Sequence, residues 1–355
     1  MPIKTSAPLV VILIVGLISS VFLGIPWDIF SVNFVVLLGA TQGLFSIILL
    51  LSLLGNQCLD DDIIPAGIIS LSFAPMALLL LPFLLKKGGP ALFYWSRFPG
   101  DSLWLTSSAF FARNFIGSIL FYSVVFSIFY KAINKKKIGP QLSCICLIFF
   151  VLNQTFISWD FGMSLSPGWH NTLFAPYYWF GSLYVGLAIF MLIILSSRKK
   201  PLMQMTRELK LRPLLLSFSA IWFYLWWSQF ITIWYANIPE ETEPFYMRFT
   251  GDQSYFAFLV LLALFIIPFG CILLGLRKGK ALKPVLWTVL AGHWIERYLI
   301  VVPPIRHLNT SLHPTGQIFN WRGGITTILL FACFLLLLSL FYGRVQKMVA
   351  AKRVI

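Results

Sequence analysis

Three ionisable residues interrupt an apolar segment near the C-terminus, in the sequence AGHWIERYLIVVPP. His293, Glu296 and Arg297 follow the i, i+3, i+4 spacing that places side chains on one face of a helix. A glutamate and an arginine can neutralise each other there, and a histidine beside them takes up or releases a proton near neutral pH. Two interpretations stay open: a relay for protons that could face a quinone, or a structural ion pair that fixes this helix to its neighbours.

A second group lies in ISWDFGMSLSPGWH, residues 157–170, where Asp160 and His170 each stand next to a tryptophan. The sequence SLSPG is typical of a turn, and tryptophan is common at membrane surfaces. This stretch is therefore either a plain interfacial turn or the outer mouth of a site. Arg113, in SSAFFARNFIG, keeps its charge and so needs a carboxylate, a carbonyl or a path to the surface. We interpret Arg113 as structural.

A third group follows an apolar segment in WYANIPEETEPFYMR, residues 234–248, and contains three glutamates after a proline. This composition favours a solvated outer loop or a surface that docks a partner over a site of chemistry. The residues of this predicted surface are Tyr235, Glu240, Glu241, Glu243 and Arg248.

The elements that position these groups are transmembrane helices. The 355 residues are 59% hydrophobic and 11% charged, with a mean hydropathy of +0.85, whereas soluble domains have about 25% charged residues. Apolar runs of about 20 residues, the length that crosses a bilayer as a helix, recur throughout. We predict an all-α polytopic membrane protein with one membrane domain and ten helices, at 7–26, 30–54, 63–85, 106–130, 139–159, 171–196, 212–236, 253–276, 282–302 and 324–343.

The distribution of positive charge predicts the orientation. Most of the 27 Lys and Arg residues fall in the segments that are cytoplasmic if the N-terminus is cytoplasmic, which places both termini inside. Asp60–Asp62 and Lys86–Lys87 run against this pattern. The net charge of +15 is thus explained by topology and not by nucleic-acid binding. We interpret the N-terminal apolar run as a retained helix because no convincing cleavage site follows it.

No cofactor motif is present in the sequence. Only His293 of the four histidines lies within a predicted helix, which argues against a haem held by two histidines. There is no phosphate-binding glycine loop, dinucleotide fingerprint or zinc signature. The five cysteines are scattered and are expected to be small buried hydrophobic residues: Cys58, Cys144, Cys146, Cys271 and Cys333. We expect the chain to bind neither a metal nor a redox cofactor.

Several motifs together resemble ActF, a membrane subunit of bacterial alternative complex III, within the wider NrfD/PsrC-like family. The matching residues are Trp159, Asp160, Met163–Leu165, Pro167, Trp169 and Thr172–Phe174, then WYANIPEET at 234–242, then Gly292, His293, Tyr298 and Pro303, with a weaker match, FYWSRF to FFARNF, at 93–115. The resemblance covers the predicted third to tenth helices, and YANIPEET is its most specific element. The family typically has aspartate at the position of Glu296.

The resemblance implies two four-helix bundles, formed by helices two to five and six to nine, with one flanking helix at each end. It implies a subunit of a quinol:electron-acceptor oxidoreductase in the bacterial cytoplasmic membrane, in respiratory or photosynthetic electron transfer. The implied partners are an ActC-like paralogue, to which quinol binding is usually assigned, an iron–sulfur/molybdopterin-like subunit, multihaem cytochrome c subunits and lipids. Haem c and iron–sulfur clusters would lie in those partners, and quinol would be the substrate of the whole complex.

On this interpretation Asp160, His170, His293 and Glu296 are the candidates for a proton relay, and Arg113 or Arg297 adjusts the proton affinity of the carboxylates. Two alternatives remain. A stand-alone proton-coupled transporter would require helices broken by Gly or Pro at matching places in two halves. A purely structural scaffold would hold electron-transfer partners without moving protons.

Overall fold

The structure is a computed structural model that describes residues 26–54, 60–97, 103–166, 168–196, 211–251, 253–275, 279–310 and 321–351. These ranges are almost entirely helical and contain no strand. Within them, nine helices are long and apolar enough to cross a membrane. The protein is therefore an all-α, multi-pass membrane protein. Nearly all of the predicted first helix, 7–26, lies outside the described residues.

The described helices agree closely in position with the predicted second to tenth helices. Several features are additional to them. They are a helix that we number α7, π-helical turns at Leu84–Gly88 and, inside α8, at Leu262–Ile266, and short helical segments at Gly89–Leu92, Tyr94–Arg97 and Met163–Leu165. The helices are α1 Trp27–Leu53, α2 Asp60–Phe83, α3 Ser107–Ile133, α4 Pro140–Phe161, α5 Phe174–Ser196, α6 Leu211–Ala236, α7 Pro239–Phe249, α8 Gln253–Leu273, α9 Gly279–Thr310 and α10 Trp321–Ala351.

The predicted outer loop after α6 is the helix α7. Pro239 stands in its first turn, where the missing N–H of proline costs nothing because that group has no partner within a helix. Phe245 and Arg248 face inward and are buried, whereas Tyr246 is exposed. This segment therefore packs against the rest of the protein and is not a solvated loop.

Helix α9 extends beyond its predicted end at residue 302, up to Thr310. Pro303 and Pro304, which follow the predicted end, lie inside the helix. Each proline lacks the N–H that would bond the carbonyl four residues earlier, so the carbonyls of Leu299 and Ile300 lose their helical partners. The membrane-spanning part runs from Leu282 to His307. His293 and Glu296 therefore lie near the middle of the span and not in its outer part.

Helix α1 is central and packs against α2, α4, α5, α9 and α10. Its closest approach is to α5, where a Cβ at Gly43 would lie 1.9 Å from the backbone oxygen of Ser182. A Cβ at Gly186 would likewise lie 2.3 Å from the backbone of Gly43. Small residues four apart, Gly39 and Gly43 on α1 and Ser182 and Gly186 on α5, allow this contact.

The π-helical turn in α8 has a local cause in Pro268. Proline cannot donate to the carbonyl of Leu264, four residues earlier. The hydroxyl of Tyr184, on α5, donates to that carbonyl at 3.0 Å. A Cβ at Gly292 of α9 would lie 2.6 Å from the Cβ of Ala263, so α9 also approaches α8 closely at this turn. The interruption in α8 is thus satisfied and packed from both sides.

Candidate functional site

Three residues of α9 form a buried acid–base cluster. His293, Glu296 and Arg297 are 1%, 2% and 0% exposed. Nδ1 of His293 lies 3.2 Å from Oε2 of Glu296, and Nη1 of Arg297 lies 3.9 Å from the same oxygen. The prediction that these three residues share one helical face is confirmed by these distances.

Neighbouring helices complete the cluster. The indole Nε1 of Trp222, on α6, donates to Oε1 of Glu296 at 2.7 Å. Nη2 of Arg297 donates to the backbone carbonyl of Tyr178, on α5, at 2.7 Å, and its guanidinium carbon lies 3.5 Å from the centre of the Tyr178 ring. Three helices therefore hold the carboxylate and the guanidinium in place, as a buried charge pair requires.

Gly181 gives the cluster its space. A Cβ at this position of α5 would lie 3.2 Å from Nη2 of Arg297, 3.5 Å from Oε2 of Glu296 and 3.6 Å from Cε1 of His293. The distance to Arg297 is tighter than an ordinary contact, whereas the other two are ordinary van der Waals contacts. A Cβ at residue 181 would therefore press on Arg297 and touch the other two members of the cluster.

Asp160 belongs to a second, separate cluster at the end of α4. Nε of Arg113, on α3, donates to Oδ2 of Asp160 at 2.8 Å, and Nη2 of the same arginine bonds Oδ1. The side-chain amide of Asn114 also donates to Oδ2. Nη1 of Arg113 donates to the carbonyl of Trp104 at 2.7 Å, and the guanidinium carbon lies 4.3 Å from the centre of that tryptophan ring. Arg113 therefore has the carboxylate and the carbonyl that its charge requires.

His170 lies apart from both clusters. Its side chain is exposed, and Nδ1 is 2.8 Å from the carbonyl oxygen of Gly168. It lines a half-open cavity of about 420 Å³ whose walls are mainly aromatic, with Trp95, Trp104 and Trp169 among them. The four relay candidates are thus divided: His293 and Glu296 meet, whereas Asp160 and His170 do not join them in the described structure.

The residues of the predicted outer surface have different environments. Tyr235 is 87% exposed, and Glu241 is half-buried. Glu243 is exposed and lies 3.5 Å from Nε2 of the exposed His307, a solvated pair of little energetic weight. Arg248 is only 7% exposed, so it faces the protein interior and is not part of a docking surface. The side chain of Glu240 lies outside the described part of the structure.

A neutral polar group at the centre of the protein was not anticipated from the sequence. Oε1 of Gln42, on α1, accepts hydrogen bonds from Asn153 at 3.2 Å and from Gln154 at 2.8 Å, both on α4. The hydroxyl of Ser182, on α5, donates to Gln154 at 3.1 Å. The sequence GATQG, residues 39–43, carries the signal that could have found it, since its two glycines mark a close helix contact with a glutamine inside it.

Within the described ranges, no group of three or more His, Cys, Asp or Glu side chains is arranged to hold a metal ion. Four cysteines are described, and all are free thiols. Cys146 is buried as expected, Cys271 and Cys333 are half-buried, and Cys144 is exposed on the surface of α4, contrary to the expectation of burial. An apolar residue on a lipid-facing helix surface is stable there, which explains the exposure of Cys144.

A scan against protein-family models and a search of the curated proteins both give no match for this chain. The fold and the cluster in α9 define the class: a multi-pass helical membrane protein that buries a histidine, a carboxylate and an arginine within its membrane-spanning part.

Proposed function

We propose that this protein is a cofactor-free integral membrane subunit of an alternative complex III, in which it supports quinol oxidation and provides a route for protons. The observation that carries the proposal is the contact between His293 and Glu296, 3.2 Å apart and buried near the middle of a membrane span. Ionisable side chains are costly at that depth and are usually functional.

The chemistry of the α9 cluster suits proton transfer. A carboxylate and an imidazole at this distance can exchange a proton directly, and both change their protonation near physiological pH when their surroundings are adjusted. Arg297 keeps its positive charge and compensates the carboxylate. Trp222 donates to the other carboxylate oxygen and so orients Glu296 toward His293.

Asp160 and His170 remain proposed relay members with weaker support. Both carboxylate oxygens of Asp160 are occupied by Arg113 and Asn114. Paired in this way, the carboxylate joins α3 to α4, which favours a structural role. His170 lies at the outer cavity and would exchange protons with the outer phase only.

The architecture of the proposal is ten helices in two bundles of four with one flanking helix at each end, and both termini in the cytoplasm of a bacterium. The packing of α1 with α2 and α4, and of α3 with α2 and α4, supports the first bundle. The packing of α5 with α6 and α9, and of α8 with α6 and α9, supports the second. The distribution of Lys and Arg supports the orientation.

A stand-alone transporter is less well supported. It would have interrupted helices at corresponding places in the two bundles. Helix α8 is interrupted at Leu262–Ile266, whereas α3, the third helix of the first bundle, is a regular helix from Ser107 to Ile133.

In the proposed complex, haem c and iron–sulfur clusters lie in the partner subunits. This chain would move protons and would not carry electrons.

Two experiments test the proposal. When the protein is purified in mild detergent, haem c and iron–sulfur subunits should co-purify with it. A chain that purifies without them would contradict the proposal that it is a subunit of this complex. In the intact complex, we expect Glu296→Gln to slow proton release during quinol oxidation by about tenfold or more, and Glu296→Asp to retain much of it because a carboxylate remains. Asp28→Asn is the control, because Asp28 pairs with Arg306 at 3.3 Å away from the cluster. If proton release is unchanged in Glu296→Gln, the chain would be a purely structural scaffold of the complex.

A further inference from the structure

Arg248 is a buried cation whose hydrogen-bonding capacity is largely unused. Its guanidinium carbon lies 4.8 Å from the centre of the Trp169 ring and 5.5 Å from that of Phe245. Nε and Nη2 have no hydrogen-bond partner among the described residues. Burial lowers the pKa of Arg248 to about 10, so the side chain is still charged at neutral pH. Buried donors without a partner are costly and call for an acceptor.

A small cavity lies next to Arg248 and reaches the acid–base cluster. Its volume is about 30 Å³, and its walls include Arg248, Tyr177, Gln229 and Glu296. Oε2 of Glu296 faces Nδ1 of His293 at 3.2 Å, and the Tyr177 side chain also interacts with the Glu296 carboxylate. The cavity exceeds the roughly 10–15 Å³ that one water needs. It is far smaller than the roughly 300 Å³ of a site for an organic ligand.

Two prolines alter the helix beside this cavity. Leu299 and Ile300 also line it, and their carbonyls are the ones that Pro303 and Pro304 leave without a helical N–H donor. The cavity therefore has a charged donor on the α7 side and a carboxylate on the α9 side, where the two residues with released carbonyls also lie.

We propose that the cavity binds ordered water that accepts hydrogen bonds from Arg248 and donates to Glu296, and that Arg248 is the residue that positions it. A small anion would also accept from Arg248, but it would face the Glu296 carboxylate and gain nothing from released carbonyls. Water satisfies both sides because it donates and accepts. The water site follows from this geometry alone, whereas its role in proton transfer rests on the proposed function.

The bound water would lie on the Glu296 side of the contact between Arg248 and Trp169. Trp169 lies under the Arg248 guanidinium and also lines the outer cavity of about 420 Å³. The fixed charge of Arg248 disfavours a hydronium ion at rest beside it. A proton that Glu296 exchanges with this water therefore does not remain on the water.

High-resolution electron cryomicroscopy of the intact complex tests the water site without any assay of activity. We expect a density peak within hydrogen-bonding distance of both Arg248 and the Glu296 carboxylate. In Arg248→Met this peak should disappear while Trp222 and Glu296 keep their positions. The exposed Tyr246→Phe on the same helix is the control and should retain the peak.

Three results would overturn the water site. They are an empty cavity in a map that shows waters elsewhere, a peak unchanged in Arg248→Met, and a peak that bromide replaces, which would identify an anion.

Proton release tests the positioning role. A pH-sensitive dye outside proteoliposomes should report release about tenfold slower in Arg248→Met than in the wild type, and largely restored in Arg248→Lys, which can again donate to water. Infrared difference spectra in H₂¹⁸O should lose a water band in Arg248→Met only. Wild-type release rates in an Arg248→Met complex that lacks the water would overturn the role of Arg248. Failure of the proposed function would instead appear as unchanged release in Glu296→Gln.

Discussion

Trp222 and Glu296 are joined by a hydrogen bond of 2.7 Å between the indole Nε1 and Oε1 of the carboxylate, and both side chains are buried. Because the two residues lie on α6 and α9, this bond fixes the carboxylate relative to a second helix. It leaves Oε2 directed at His293.

Trp222→Phe should remove this bond and, because phenyl is smaller than indole, leave a cavity at this buried position. The carboxylate then keeps a buried oxygen without a donor, and we expect a loss of about 1.5–3 kcal/mol in unfolding free energy. Proton release should slow as Glu296 loses its orientation. Denaturant unfolding in micelles measures the first effect. Trp227→Phe, on the exposed face of the same helix, should change stability by less than about 0.5 kcal/mol. Equal losses in both variants would contradict the prediction.

The pair formed by Arg113 and Asp160 separates a structural role from a relay role. Asp160→Asn leaves Arg113 buried without its counter-charge, and we expect a loss of about 3–5 kcal/mol. The double variant Arg113→Gln/Asp160→Asn removes both charges and should recover much of that stability. If Asp160 is structural, the double variant should also recover proton release. Recovered stability with release still slow would instead assign Asp160 to the relay.

How much could be predicted from the sequence depends on the range of the interaction. The apolar runs placed nine described helices, and the spacing of His293, Glu296 and Arg297 placed them together, because both signals are local. Trp222 and Gly181 could not be predicted as their partners, since helices far apart in the chain bring them together. The three glutamates after Pro239 favour a surface segment that includes Arg248, and only the packing of Arg248 on Trp169 shows that it is buried. The predicted helix ends at residue 302, before the prolines at 303 and 304, but a proline inside a membrane helix is tolerated when other groups satisfy the freed carbonyls.

Because α1 and α5 are in close contact, adding one methyl group at this contact should strongly reduce the stability of the protein. Gly43→Ala places a Cβ against the backbone of Ser182, which cannot rotate away. We expect a loss of about 3 kcal/mol or more and poor expression in the membrane. Gly270→Ala is the matched control, because nothing lies within 4 Å of its Cβ and alanine is the better helix former by about 1 kcal/mol. Normal stability of Gly43→Ala would show that the helices are farther apart than described.

Gly181→Ala should affect function more than stability. The added methyl group lies 3.2 Å from Nη2 of Arg297, so the guanidinium must shift by a few tenths of an ångström and its bond to the Tyr178 carbonyl weakens. The gain in helix propensity, about 1 kcal/mol, offsets much of the strain. We expect unfolding free energy within about 1 kcal/mol of the wild type and clearly slower proton release. Unchanged release would show that the geometry of Arg297 is unimportant.

Arg248→Met should change the dependence of stability on pH. Burial lowers the pKa of Arg248 to about 10 in the folded protein, well below the pKa of an exposed arginine. Below pH 10 both the folded and the unfolded chain hold the proton, so this group adds no slope. Above pH 10 the unfolded chain binds more protons than the folded one, and stability rises with pH. The cost of burying the charge is thus fully present at neutral pH and is relieved only in alkali.

Methionine is apolar and of similar size, so Arg248→Met avoids the cost of burying a charge, although it loses the cation–π contacts with Trp169 and Phe245. We therefore expect the variant to be as stable as the wild type, or up to about 3 kcal/mol more stable, at pH 7. The advantage should stay constant from pH 6 to 9 and narrow above about pH 10. Thermal unfolding of both proteins across this range measures it, with Tyr246→Phe as the control that follows the wild type. A loss of more than about 3 kcal/mol at pH 7 would instead show that Arg248 is held by an ion pair, because removing one partner of such a pair has that cost.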